Sequence, residues 1–142
     1  MATPYRLRLV SASRQLFDGE VVYTHVAGID GEMGMYAHHL PLVTALKIAP
    51  VDAETETGRV AFAVHGGFVE VGQDGVTVLA EIAERKEDIQ VDRARSALER
   101  ANARLQSASG DVDRVRAEAA RERARTRLRV AGVLEPEAAQ RS

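Results

Sequence analysis

The chain has 142 residues, of which 45% are hydrophobic and 28% charged, a balance typical of one medium-sized globular protein. It contains no cysteine, which excludes disulfides and thiol catalysis, and no apolar run approaches the ~18 residues that a membrane helix requires. Residues 1–90 hold 7 Lys and Arg against 13 Asp and Glu, whereas residues 91–131 hold 11 Arg against 6 acidic residues. This asymmetry predicts a basic segment that docks against a negatively charged surface.

The first half of the chain has the pattern of short β-strands. Apolar residues alternate along two of the runs: Leu7 and Leu9 in the first, and Val60, Phe62 and Val64 in a later one. Glycine pairs and Asp-Gly dipeptides separate the runs. The pattern predicts an antiparallel sandwich or barrel over residues 5–81, with one strand ending at Pro50. The N-terminus lacks a long apolar run, so we expect no signal peptide.

The stretch GEMGMYAHHLPLVTAL (31–46) holds the residues most suggestive of a functional site. His38 and His39 are adjacent, so on a strand they would point to opposite faces and could not share a metal ion. The glycines before them match neither a dinucleotide fingerprint nor a phosphate loop. We expect them to shape a tight turn with Glu32 at its crown.

Beyond residue 90 the apolar period changes to that of a helix. Apolar residues recur every three or four positions in two runs: Val91, Ala94, Leu98, Ala101 and Leu105, and then Ala117, Ala120, Ala124, Leu128 and Ala131. Gly110 fits a left-handed cap of the first helix, and Asp111 fits an N-cap of the second. The short break predicts an antiparallel helical hairpin, which Gly132 and Pro136 end and a frayed tail follows.

The predicted helices carry a thin apolar face. A buried alanine methyl contributes only about 0.8 kcal/mol, against about 1.5–3 kcal/mol for Leu or Val. Such helices can exist docked and undocked at similar free energy, so a movable hairpin and a hairpin fixed on the sandwich remain equal alternatives. No catalytic constellation is visible, so we expect a protein that is not an enzyme. Aromatic residues make up only 4% of the chain, which argues against nucleic-acid binding.

Three ordered motifs followed by this Ala/Arg-rich hairpin resemble the epsilon subunit of bacterial F-type ATP synthases. The first motif comprises Gly31, Glu32, Gly34, His39, Pro41, Leu42, Thr44 and Leu46. The second is GGFVEV (66–71) and the third is VTVLAEIAER (76–85). The resemblance covers about residues 5–131, is poor over 50–60, and leaves the tail as an extension.

The resemblance implies an α+β fold, with an N-terminal antiparallel β-sandwich and a C-terminal antiparallel two-helix hairpin. Residues 1–86 would bind the gamma subunit and the c-subunit ring, with Glu32 facing the c ring and His39 facing gamma. Residues 87–142 would form the regulatory hairpin, which extends toward the catalytic alpha and beta subunits and inhibits ATP hydrolysis. The chain would be a non-catalytic central-stalk subunit that couples proton flow to ATP synthesis on the cytoplasmic face of the bacterial inner membrane.

Some members of this family also bind ATP on the folded hairpin, through the pattern I/L-D-x-x-R-A. Here the pattern residues are Ile89, Gln90, Arg93 and Ala94, and four further positions match: Glu84, Arg100, Arg123 and Arg127. Gln90 replaces the family's aspartate, so we expect at most a weak regulatory ATP and no other cofactor. The alternative to a rotor subunit is a free-standing ligand-binding β-sandwich with a helical oligomerisation arm.

Overall fold

The computed structural model describes residues 2–134, which form eight strands followed by two α-helices. The strands are β1 (Tyr5–Ser11), β2 (Gln15–Val21), β3 (Tyr23–Gly28), β4 (Gly31–Met35), β5 (Leu42–Thr55), β6 (Gly58–Gly72), β7 (Gly75–Ala80) and β8 (Ala83–Arg85). A 3-10 turn (Lys86–Asp88) leads to the helices α1 (Val91–Ser107) and α2 (Asp111–Val130). The predicted α+β architecture, a β-sandwich followed by a two-helix hairpin, is confirmed.

The strands are hydrogen-bonded in the order β2-β1-β7-β6-β5-β3-β4, and β8 also pairs with β6. The long strands β5 and β6 belong to both layers of the sandwich. Residues 67–72 of β6 pair with β7 in one layer, and residues 62–64 pair with β8 in the other. All pairings are antiparallel except that of β1 with β7, which is parallel. The other edge of β1 pairs with β2 in a hairpin.

The core lies between the two layers and is built almost entirely from aliphatic side chains. Leu7, Leu9, Val64, Val69 and Val78 are fully buried, as the alternation of apolar residues along their strands predicts. The buried residues of this cluster all lie between positions 7 and 83. The sandwich therefore closes its core without a contribution from the helices.

Strand β6 changes layer at Gly66 and Gly67, which have φ angles of 81° and 130°. A Cβ atom added to Gly67 would overlap the carbonyl oxygen of Leu79. We expect Gly67→Ala to lower the free energy of unfolding by roughly 2–5 kcal/mol, because it combines a disfavoured φ with overpacking. Urea titration measures this loss.

The matched control for this substitution is Gly72→Ala at the end of the same strand. Gly72 has no positive φ, and no atom lies within 4 Å of its added Cβ. We expect this variant to unfold within about 0.5 kcal/mol of the parent, as exposed substitutions usually do. Equal losses in the two variants would show that the bend does not depend on glycine at position 67.

The helical hairpin is folded onto the sandwich. Helix α2 packs against β5 and β6, and the main contacts of α1 are with α2. The buried helical residues are Ala94 and Ala101 in α1, and Ala117, Ala124, Thr126, Leu128 and Val130 in α2. The alanine stripe is thus the predicted interface, although the sequence pattern missed Thr126 and Val130 because α2 is covered on two sides.

Three local predictions were wrong. Strand β5 continues through Pro50, at a position where β3 and β5 are not paired. Gly110, with φ of 89°, precedes α2 as its N-cap, and Asp111 is the first helical residue.

The predicted end of the hairpin at Gly132 agrees with the φ of 81° at that residue. Pro136 and the predicted frayed tail lie outside the described residues.

Candidate functional site

A cleft of about 330 Å³ separates the end of the sandwich from the hairpin. It is lined by Glu84 from β8, Asp88 from the 3-10 turn, Gln90, Arg93, Ala94, Ala97 and Arg100 from the start and first half of α1, and Arg127 from α2. The antiparallel packing of the helices brings the N-terminal part of α1 level with the C-terminal part of α2. Residues about 30 positions apart therefore share one cavity.

Six of the eight nucleotide-site residues predicted from the sequence line this cleft. Ile89 and Arg123 do not. Ile89 ends the 3-10 turn, where its N–H donates to the carbonyl of Lys86. Arg123 is half-buried on α2.

Sequence reasoning missed two lining residues, Asp88 and Ala97. Helical spacing could have found Ala97, because it shares a face with Arg93 and Arg100. Asp88 carries no such signal, since its position depends on the turn, and its carboxylate pairs with Arg14 at 3.0 Å.

Glu84 anchors the floor of the cleft. Its Oε1 accepts a hydrogen bond from Nε of Arg127 at 2.7 Å and lies 2.8 Å from Nε2 of His65. Burial raises the pKa of the Glu84 carboxyl, but the hydrogen bonds from His65 and Arg127 outweigh it and hold that pKa below its usual range. Among residues 2–134, the pair of Glu84 with Arg127 is the only ion pair between β8 and α2. Its carboxylate is therefore ionised at neutral pH.

The walls of the cleft are cationic. Within residues 2–134, neither Arg93 nor Arg100 is paired with a carboxylate, whereas Arg95 on the opposite side of α1 pairs with Asp92. Guanidinium groups without counter-ions suit a ligand with several anionic oxygens. Gln90 offers an amide donor and acceptor at one end, because its side chain makes no capping hydrogen bond to α1.

The structure corrects the position of Glu32. The turn between β3 and β4 consists of Ile29 and Asp30, and Gly31, with φ of 138°, begins β4. Glu32 therefore lies on β4 rather than at the crown of the turn. Its carboxylate lies 3.2 Å from Nε2 of His25. Gly34 does not have a positive φ; it is glycine because the ring of Tyr23 occupies the space of a Cβ.

His39 lies apart from Glu32, in the connection between β4 and β5. The two adjacent histidines lie in this connection and not on a strand, and His38, with φ of 65°, occupies a turn. Nδ1 of His39 lies 2.9 Å from the carbonyl oxygen of Leu40. His39 lines a second cleft of about 340 Å³, in which Glu32 takes no part.

Two family models match the chain, one after the other. The beta-sandwich domain of the ATP synthase delta/epsilon chain matches residues 4–86, and the long alpha-helix domain of the same chain matches residues 87–132. The chain belongs to the ATP synthase delta/epsilon family. The resemblance inferred from the three motifs is thereby confirmed.

Individual relatives agree with membership of the delta/epsilon family. The chain is 44% identical over 108 residues to the ATP synthase epsilon chain of Brevibacillus brevis, covering 75% of this chain and 82% of that one. It is 43% identical over 127 residues to the epsilon chain of Halalkalibacterium halodurans, covering 89% and 96%. The chain is therefore similar to bacterial epsilon chains over nearly their whole length.

Two solved structures of ATP synthases contain chains with a similar fold. A chain in the mitochondrial ATP synthase of Euglena gracilis, from a structure of OSCP, F1 and the c-ring, superposes with a TM-score of 0.73 at 29% identity, covering 84% of this chain and 76% of that one. A chain from the central stalk and c-ring of the Tetrahymena thermophila enzyme has a TM-score of 0.64 at 12% identity, covering 92% and 98%, and shares the fold.

The part of this delta/epsilon chain that the structure describes carries two further findings. Among residues 2–134, no three His, Cys, Asp or Glu residues are grouped so that they could hold a metal ion. No helix in that range is long and apolar enough to cross a membrane.

Proposed function

We propose that this chain is a non-catalytic rotor subunit of an F-type ATP synthase, which couples proton flow to ATP synthesis and restrains ATP hydrolysis through its helical hairpin. The observation that carries this proposal is the interface between the hairpin and the sandwich. Helix α2 rests on β5 and β6 through mostly small residues, and the ion pair of Arg127 with Glu84 joins it to β8. An interface this thin can open without disturbing a sandwich whose core is complete.

The two parts of the chain take different partners in this proposal. The sandwich, up to residue 86, binds the gamma subunit through the region of His39 and the c ring through the region of Glu32. The hairpin, from residue 87 onward, reaches the catalytic alpha and beta subunits when it extends. The structures of similar chains come from assemblies described as F1/c-ring and central stalk, which supports these partners. The subunit would lie on the cytoplasmic face of the bacterial inner membrane.

The cleft between Glu84 and the hairpin is proposed to hold a weak regulatory ATP. Arg93 and Arg100 would contact the phosphate groups, and Gln90 would contact the adenine edge, as an amide can pair with the donor and acceptor of that base. A nucleotide in this position bridges α1 and β8, so it would stabilise the folded hairpin.

Co-purification tests the proposal. A truncated chain ending at Lys86 retains every residue of the buried sandwich core, so we expect it to fold and to bind a gamma-like protein as the full chain does. Pull-down of both proteins from the native membrane fraction, followed by mass spectrometry, measures this. A soluble truncated chain that fails to bind gamma, while the full chain binds, would contradict the assignment of gamma binding to the sandwich.

The same pull-down distinguishes the free-standing ligand-binding sandwich with an oligomerisation arm. That alternative requires the full chain to recover copies of itself, with the helices as the contact, and to recover no gamma-like protein. The truncated chain would then be monomeric. Size-exclusion chromatography with light scattering measures the mass of both proteins.

A further inference from the structure

One oxygen atom at the junction between the sandwich and the hairpin is shared by two basic groups. Oε1 of Glu84 lies 2.8 Å from Nε2 of His65 and 2.7 Å from Nε of Arg127. His65 is only 4% exposed and lies on β6 two residues from Ala63, whose partner on β8 is Glu84. An ionised carboxylate only accepts hydrogen bonds, so Nε2 carries the hydrogen of this contact.

The two basic groups belong to different parts of the molecule. His65 and Glu84 are both in the sandwich, whereas Arg127 is in the hairpin. When His65 is neutral, Arg127 is the only cation on this oxygen. When His65 is protonated, the sandwich supplies its own cation, and that cation repels Arg127 across the shared oxygen.

We propose that His65 is a proton-sensitive latch: its protonation displaces Arg127 from Glu84 and releases the hairpin from the sandwich. The inference rests on the proposed function, because it concerns the same movement of the hairpin. The other ring nitrogen gives a second reason for this direction. Nδ1 of His65 is buried and has no hydrogen-bond partner among residues 2–134, so the docked state offers no acceptor for a proton added there.

The direction of the pH effect follows from the linkage between protonation of His65 and docking of the hairpin. Docking and protonation disfavour each other, so the released state binds more protons, and acid shifts the equilibrium toward release. Imidazoles titrate between about pH 5 and pH 8, whereas the pKa of Glu84 lies below its usual range because of its bonds to His65 and Arg127. Glu84 therefore stays ionised over the pH range in which imidazoles change charge.

Other charged groups lie near the junction. Asp88, Arg93 and Arg100 line the cleft beside Glu84, and the Glu81 carboxylate lies 3.5 Å from the Cβ position of Gly66. Arginine side chains keep their charge over this pH range. The carboxylates near the junction do not determine which of the two cations binds Oε1 of Glu84. The pH response is thus expected to depend on His65.

Distances between two spin labels on the isolated full-length chain test the proposal. The chain has no cysteine, so Glu56→Cys in the β5–β6 turn and Gln106→Cys in α1 label one exposed site on each part. Lowering the pH from about 7.5 to about 5.5 is expected to raise the ratio of released to docked hairpin by about three- to tenfold. No change in that ratio would overturn the latch.

Three variants of the labelled chain separate His65 from other titrating groups. His65→Gln keeps an N–H donor without a charge and should remove the pH response. Arg127→Gln should release more hairpin at neutral pH and also respond little to acid. His25→Gln alters the other close His–Glu pair, 3.2 Å from Glu32, and should respond like the parent. A full pH response in His65→Gln, or its loss in His25→Gln, would refute the assignment. The experiment does not measure ATP hydrolysis, so a negative result would refute the latch without bearing on the proposed inhibition of hydrolysis by the hairpin.

Discussion

Removing residues 91–142 is expected to raise ATP hydrolysis by the assembled synthase several-fold while assembly stays intact. Residues 91–131 carry 11 arginines against 6 acidic residues, so the hairpin can be attracted to acidic surfaces of the catalytic subunits. Salt should weaken that attraction, because the charges involved are on exposed helical faces. Steady-state hydrolysis by the purified complex, with and without the hairpin and at two salt concentrations, measures the effect.

The control for this truncation removes only residues 135–142. That variant keeps both helices, since α2 ends at Val130, and should hydrolyse ATP at the parental rate. Equal rates for the parent and the variant without the hairpin would rule out inhibition by the helices of this chain. A higher rate in the control would assign the inhibition to the tail instead.

ATP binding to the folded hairpin is expected to be weak and to tighten about tenfold in Gln90→Asp. A carboxylate forms a charge-assisted hydrogen bond with the adenine amino group, whereas the Gln90 amide forms a neutral one, a difference of about 1 kcal/mol or more. Arg93→Ala should abolish what binding remains, because it removes one of three guanidinium groups that line the cleft. Isothermal titration calorimetry on the isolated chain measures both changes.

Arg95→Ala is the matched control for Arg93→Ala. Arg95 lies on the same helix two residues away, is 56% exposed and does not line the cleft. Its loss lowers the net charge by the same amount, so it should reduce ATP affinity only through long-range electrostatics. Equal losses in the two variants, or tight ATP binding by the parent, would contradict the placement of the phosphate groups beside Arg93.

The fold could be predicted from local patterns because both periods are clear. Alternation fixes the inner face of strands such as β6, and the 3,4 spacing fixes the inner stripe of α1 and α2. Pro50 was misjudged because a proline normally interrupts a sheet, and only the gap between β3 and β5 reveals why it is tolerated. That gap depends on the pairing of strands distant in the sequence.

The candidate site was only partly accessible to sequence reasoning. The cleft arginines follow from helical spacing and the resemblance, and the fold brings Arg93, Arg100 and Arg127 together. The sequence carries no signal for the position of His65, because its contact with Glu84 joins residues that lie 19 positions apart. A contact between β6 and β8, which pair far apart in the sequence, leaves no trace in local periodicity.

Helix α1 stacks on α2, and α2 stacks on the strands β5 and β6. Because the main contacts of α1 are with α2, the two helices would leave the strands as one unit. Amide protons should therefore exchange with solvent first in the helices and last in the strands of the core. The sandwich, whose buried core includes no helical residue, would keep its shape during that movement.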